Sequence, residues 1–209
     1  MTITSIENKK KNSSKKSIFV DGKYVFSIDE EDLFRLNLYV GKEITKQEIE
    51  NIRQICNYSK AKILAIKFIV FKKRTEYEVK TKLEKLGFDH SVIEKVLDYL
   101  KQSGYVNDAV YTKKYIKDAL TLKKWGIYRI RYELQMKGID EGTIQHELTK
   151  IEFDEKQNQI LKALVEKKLS SVRNLDERSL NKIKNYCIRK GYDLNAVNKV
   201  INELLDGDI

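Results

Sequence analysis

No proline occurs anywhere in the 209 residues, so nothing removes a backbone donor from a helix interior and long helices can run unbroken. Only two cysteines are present, Cys56 and Cys187, far apart and in no CxxC pair. That spacing excludes a disulfide framework and a cysteine zinc site, and it reads as two reduced thiols of a cytoplasmic protein. Two histidines leave little to build a metal centre from. His146 opens HELTK, but Lys150 stands where a second zinc-ligating histidine would have to be. The longest apolar stretch, ILAIKFIVF, is broken by Lys67 and falls well short of the ~20 residues that span a bilayer. The lysine-rich beginning, MTITSIENKKKNSSKK, has no apolar stretch of the signal-peptide kind after it.

Catalytic patterns are missing as well. Gly22-Lys23-Tyr24 and Gly41-Lys42-Glu43 lack the second glycine and the Ser/Thr of a phosphate-binding loop, and no GxSxG occurs. The acidic residues alternate with lysines at helical spacing, as on solvated faces. We expect no enzyme, no metal and no cofactor.

The chain does carry an excess of cations, 41 Lys and Arg against 31 Asp and Glu, net +10. Such a balance attracts nucleic acid or an acidic protein surface. Hydrophobic residues make up 41%, enough for a buried core.

Residues 1–16 are polar and are expected to be a disordered basic tail. SIFVDGKYVFSI then places two β-type runs around Asp21-Gly22, a pair that favours a tight hairpin. Thr45 with Glu48 three residues on has the capping-box spacing, and everything beyond reads helical.

Across the helical region the same punctuation recurs: EKLGFD, QMKGID and IRKGYD, whose glycines Gly87, Gly138 and Gly191 lie 51 and 53 residues apart. Before each glycine an apolar helix face recurs, Val79 and Leu83, Ile130 and Leu134, Ile183 and Cys187. After each comes an apolar residue and an aspartate: Phe88-Asp89, Ile139-Asp140 and Tyr192-Asp193. The pattern predicts a helix closed by a left-handed glycine, a residue folded back onto it, and an aspartate capping the next helix. Ile93/Leu97/Leu100, Ile144/Leu148/Ile151 and Val197/Ile201/Leu204 supply the buried stripe of that next helix. A third helical run precedes each pair, near 61–73, 108–123 and 155–169.

The expected fold is therefore all-α: three tandem three-helix repeats in an elongated, curved array behind a short N-terminal β-hairpin segment. The boundaries are a tail at 1–16, hairpin and helical lead-in at 17–58, and repeats at 59–106, 107–152 and 153–209.

Charge is concentrated in the middle repeat. Between Val110 and Lys137 stand Lys113, Lys114, Lys117, Lys123, Lys124, Arg129, Arg131 and Lys137, against Asp118 and Glu133 alone. If Ile127, Ile130 and Leu134 face the core, Tyr128, Tyr132 and Gln135 face away, with Arg129 and Arg131 at their sides. Exposed aromatic and arginine side chains are typical interface anchors; the alternative is that the tyrosines pack beneath a neighbouring repeat. Trp125 reads as a packing residue between helices. Lys72, Lys73 and Arg74 precede a second capping box, Thr75 with Glu78. Three consecutive cations there serve either the preceding helix end or a polyanionic partner.

These residues together resemble the RecX family, bacterial regulators of the RecA recombinase. The resemblance is close over about residues 60–151 and looser toward both ends. It rests on Arg-Thr-x-x-Glu at Arg74-Thr75, on GYVND at Gly104 to Asp108, and on GIYRIRYELQMKGI at Gly126 to Ile139. Thr112 stands where the family usually has alanine, and Asp118-Ala119 falls where an arginine is common. The resemblance implies a non-enzymatic cytoplasmic protein of three-helix repeats, monomeric and off the membrane. It would bind RecA and its nucleoprotein filament, usually suppressing ATP hydrolysis and strand exchange, with weaker or indirect contact to single- and double-stranded DNA. The candidate contact residues are Lys72, Lys73, Arg74, Lys123, Lys124, Tyr128, Arg129, Arg131, Tyr132 and Lys137. Two other classes stay open: a basic DNA-binding protein acting without RecA, and an enzyme whose site has no known pattern.

Overall fold

A strand, β1 (Ile3–Lys9), stands where the polar leader was expected to be disordered. The computed structural model describes residues 1–9, 12–150, 153–172 and 175–206, and within them β1 pairs antiparallel with β2 (Asn12–Val20), which pairs with β3 (Lys23–Asp29). The expected hairpin is thus the second half of a three-stranded sheet. Ile3 is fully buried and Ile6 partly so. They are three residues apart, and a register shift between Ile3 and Ser5 is what lets both face the core. The strand period alone would put such a pair on opposite faces. The β2–β3 turn is the expected one: Asp21 and Gly22 both have positive φ, 48° and 75°, as a two-residue hairpin requires.

Ten helices follow among the described residues: α1 (Glu30–Arg35), α2 (Lys46–Phe71), α3 (Glu76–Lys85), α4 (His90–Gln102), α5 (Asp108–Thr121), α6 (Ile127–Gln135), α7 (Glu141–Thr149), α8 (Phe153–Leu169), α9 (Glu177–Arg189) and α10 (Leu194–Asp206). Thr45 and Glu48 form the capping box that starts α2. From there α2 runs 26 residues across the boundary expected at 58/59, since neither proline nor glycine interrupts it.

The chain divides into two compact units, residues 1–72 with 80–105, and residues 73–79 with 106–209. In the first, Ile3, Ile18, Phe26 and Ile28 of the sheet pack with Leu33, Leu38, Ile49 and Ile52, and α2 lies against α4. In the second, α5, α6 and α7 enclose Ile116, Leu120, Ile130, Leu134, Ile144 and Leu148. There too α8, α9 and α10 enclose Leu161, Val165, Ile183, Cys187, Val197 and Ile201. Ile151, expected in the α7 stripe, lies outside the described residues.

All three recurring glycines have left-handed backbone, φ 78°, 75° and 92° at Gly87, Gly138 and Gly191. Each donates its N–H three residues back, and the next residue donates five back: Phe88 to Leu83, Ile139 to Leu134 and Tyr192 to Cys187. This double closure satisfies carbonyls that the helix end leaves bare. Asp140 and Asp193 accept N–H groups of the helices they precede, Thr143 at 2.8 Å and Asn195 at 2.8 Å. Asp89 holds the same position and makes no side-chain cap.

Space separates the three turns. A methyl on Gly87 would meet nothing, one on Gly138 would overlap Tyr77, and one on Gly191 would overlap the Arg129 backbone and Cβ. Gly87→Ala is expected to cost about 1–2 kcal/mol, the left-handed penalty alone. Gly138→Ala and Gly191→Ala should each lose a further ~1–3 kcal/mol to overpacking. Urea unfolding of the three variants measures the difference.

Candidate partner interface

Helix α6 has no side-chain cap of its own: Gly126 occupies its N-cap. The N–H groups of its first turn are instead bound by other helices. Gly126 donates to the Lys190 carbonyl at 2.9 Å and Tyr128 to that of Gly191 at 3.1 Å. Ile127 donates to Gln157 Oε1 at 2.7 Å. The carbonyls that close α9 thus serve as the cap of α6, which meets the need of both helix ends. Approach this close requires a residue without a side chain, because a Cβ on Gly126 would overlap the Gly191 carbonyl. Tyr192 adds its hydroxyl to the Lys124 carbonyl at 3.3 Å, and the Lys190 ammonium donates to the Lys123 carbonyl at 2.9 Å.

The start of α3 makes the same joint with the middle turn. Thr75 lies twelve residues before its glycine, as Gly126 does, and its hydroxyl donates to the Lys137 carbonyl at 2.7 Å. Thr75 and Glu78 also complete the expected capping box, at 3.2 Å in both directions. Glu78 then receives Lys137 at 3.1 Å and Arg74 at 3.7 Å. Burial alone would lower the Lys137 pKa, but the hydrogen bond to Glu78 and contacts with Tyr111 outweigh it and the value is raised. Asp108, beside this group, has its carboxyl pushed up by burial, although it accepts the Glu76 N–H at 3.0 Å.

The ten candidate contact residues therefore divide. Lys72, Lys73, Lys123, Lys124, Tyr128 and Tyr132 are exposed, the two tyrosines by 59% each. Lys72 caps α2 and Lys73 follows it. Lys124 has a positive φ of 54° in the turn before α6. The Lys123 ammonium sits 4.1 Å from the Trp125 ring centre, and the Arg129 guanidinium sits 4.2 Å from it. Arg129 also donates to the Arg189 carbonyl at 3.1 Å and pairs with Glu133 at 3.8 Å. Arg131 pairs with Glu141 and donates to Gln145. Arg74 and Lys137 meet at Glu78. Trp125 is half-buried under two cations, which fits the packing role read from sequence.

Met136 was not among the candidates. It is 64% exposed and continues the line of Tyr128 and Tyr132 along α6. Extending the outward face by one more step of four residues would have found it. Among the described residues no cluster of three or more His, Cys, Asp or Glu could hold a metal, and no helix is long and apolar enough to cross a membrane.

Comparison with known proteins places this architecture. The RecX N-terminal domain matches residues 1–45, the first RecX three-helix domain 61–100 and the second 107–148. The regulatory protein RecX of Clostridium beijerinckii is 31% identical over 99% of this chain and 97% of its own. That of Clostridioides difficile is 33% identical over 99% and 97%. A crystal structure of regulatory protein RecX superposes with a TM-score of 0.72 at 26% identity, covering 97% of this chain and 99% of that one. RecX from Lactobacillus salivarius gives 0.64 at 26% identity, covering 71% and 96%.

Two measurements probe the joint. Thr75→Val keeps the shape but leaves the Lys137 carbonyl and the Glu78 N–H without their partner, so a loss of about 2–3 kcal/mol is expected, with Lys73→Ala within about 0.5. The raised Lys137 pKa means that its contribution is complete below the ordinary lysine value of about 10.4 and is lost as pH rises through the raised one. An alkaline urea series should show that loss, and Lys137→Met should remove its share.

Proposed function

Because the chain belongs to the RecX family of regulatory proteins, we propose that it binds the RecA recombinase and its nucleoprotein filament and lowers ATP hydrolysis and strand exchange. The observation that carries this reading is likeness to RecX proteins along almost the whole chain, at 31% identity over 99% of it. The family is one of regulators, and the proposed action is binding without catalysis. In this reading the protein works as a cytoplasmic monomer, and its contact to DNA is weaker than or secondary to its contact to RecA. Lys72, Lys73, Lys123, Lys124, Tyr128 and Tyr132 would meet the partner. Arg74, Arg129, Arg131 and Lys137 would act mainly by holding α3 and α6 in place.

A second reading, a DNA-binding protein independent of RecA, is favoured by the net charge of +10 alone. It requires tight binding to bare DNA with a steep salt dependence, since every neutralised phosphate releases counterions. ATP hydrolysis by the cognate RecA on single-stranded DNA, with this protein titrated in, separates the two. The expected result is a falling rate at concentrations well below that of RecA. An unchanged rate beside strong, salt-sensitive binding to bare DNA would replace the first reading by the second.

A further inference from the structure

We propose that Tyr128, Tyr132 and Met136 form an apolar anchor strip on α6 that seats in an apolar groove with an acidic rim on a protein partner. This rests on the RecA reading for the identity of that partner. The three residues recur every four positions, so they stand in line about 6 Å apart along the helix. All are more than half exposed, 59%, 59% and 64%.

The repeat shows that the fold does not call for them. Counted back from the turn glycine, the same three positions in α9 are Asn181, Asn185 and Arg189, all exposed. In α3 they are Tyr77, Thr81 and Lys85, and Tyr77 packs against the Gly138 turn. The buried positions of α6 and α9 correspond, Ile130 and Leu134 with Ile183 and Cys187. At these three outward positions α9 carries polar side chains where α6 carries two tyrosines and a methionine. A line of exposed apolar side chains on one helix is the pattern that docks into a groove on another protein.

Charge and chemistry select the occupant. Both arginines of α6 are engaged within the molecule, on Trp125, Glu133 and the Arg189 carbonyl, and on Glu141 and Gln145. Strand recognition by phosphate contact would need such groups outward. The third member of the strip is a thioether, which has no ring face for a base but adapts well to a protein groove. Lys123 and Lys124 remain exposed just before α6, and they complement an acidic rim rather than an apolar floor.

The test compares the full-length chain with a variant carrying Tyr128→Asn and Tyr132→Asn, the residues found in α9, together with Met136→Gln. Binding is measured to RecA filaments on single-stranded DNA and to the same DNA without RecA, at about 50 and 200 mM salt. The expected result is filament affinity lowered about 100-fold in the variant, with bare-DNA binding and the unfolding midpoint unchanged. Wild-type filament affinity should fall by less than about tenfold across that salt range, where a contact made by phosphates alone loses a thousandfold or more. A variant that binds filaments as the wild type does overturns the strip while leaving the RecA reading intact. Parallel loss on filaments and on bare DNA makes the strip a base-stacking surface and overturns the protein groove. A wild-type chain that ignores filaments altogether removes the RecA reading, and the strip falls with it.

Discussion

Within the second unit, the organisation depends on one joint: the left-handed glycine turn that ends a helix is pressed against the start of the turn-forming helix one repeat earlier. At Gly191 the turn supplies its carbonyl to the Tyr128 N–H while its neighbour Lys190 supplies one to Gly126. At Gly138 the neighbour Lys137 supplies one to the Thr75 hydroxyl. A helix C-terminus has carbonyls without partners and a helix N-terminus has N–H groups without partners, so placing one on the other satisfies both without solvent. The geometry succeeds only if no side chain intervenes. Gly126 and Gly191 therefore face each other with room for backbone alone.

That joint also decides which charged groups are available outside. Arg129 is drawn toward the α9 C-terminal carbonyls, where a cation meets the negative end of the helix, and its guanidinium stands over the Trp125 ring, 4.2 Å from its centre. Lys190 and Lys137 are drawn in similarly, one to a carbonyl and the other to Glu78. A positive stretch of sequence is thus divided by the fold into cations that brace the joint and cations that face solvent. Charge counted along the chain overstates the charge presented at the surface.

Much of this was legible in advance, for local reasons. The glycine turns, the capping boxes at Thr45 and Thr75, and the Asp21-Gly22 hairpin rest on contacts within a few residues, where residue type and spacing carry the physics. The repeat period exposed the tandem architecture, and helical geometry correctly placed Tyr128 and Tyr132 outward. Strand β1 was not legible, because its two apolar residues face one way only through a register shift that depends on β2. The pairing of Arg131 with Glu141, or of Lys137 with Glu78 across 59 residues, was hidden for the same reason: these bonds exist only once two helices are side by side. Nothing in GIYRIRYELQ distinguishes an arginine that braces from one that binds.

If the chain acts on a RecA filament as proposed, the division of labour on α6 has a kinetic meaning. Exposed lysines raise the rate of encounter with an acidic surface and lose influence as salt rises, whereas desolvated apolar contacts act chiefly on how long a complex lasts. A protein that relied on the first alone would be distracted by every stretch of bare nucleic acid in the cell. In that proposal, engaging the arginines within the molecule and turning the strip outward would weaken that distraction while preserving attraction at a distance. The joint between repeats would then contribute to specificity through Arg129, which it holds on the Arg189 carbonyl, while Arg131 is held within its own repeat by Glu141 and Gln145.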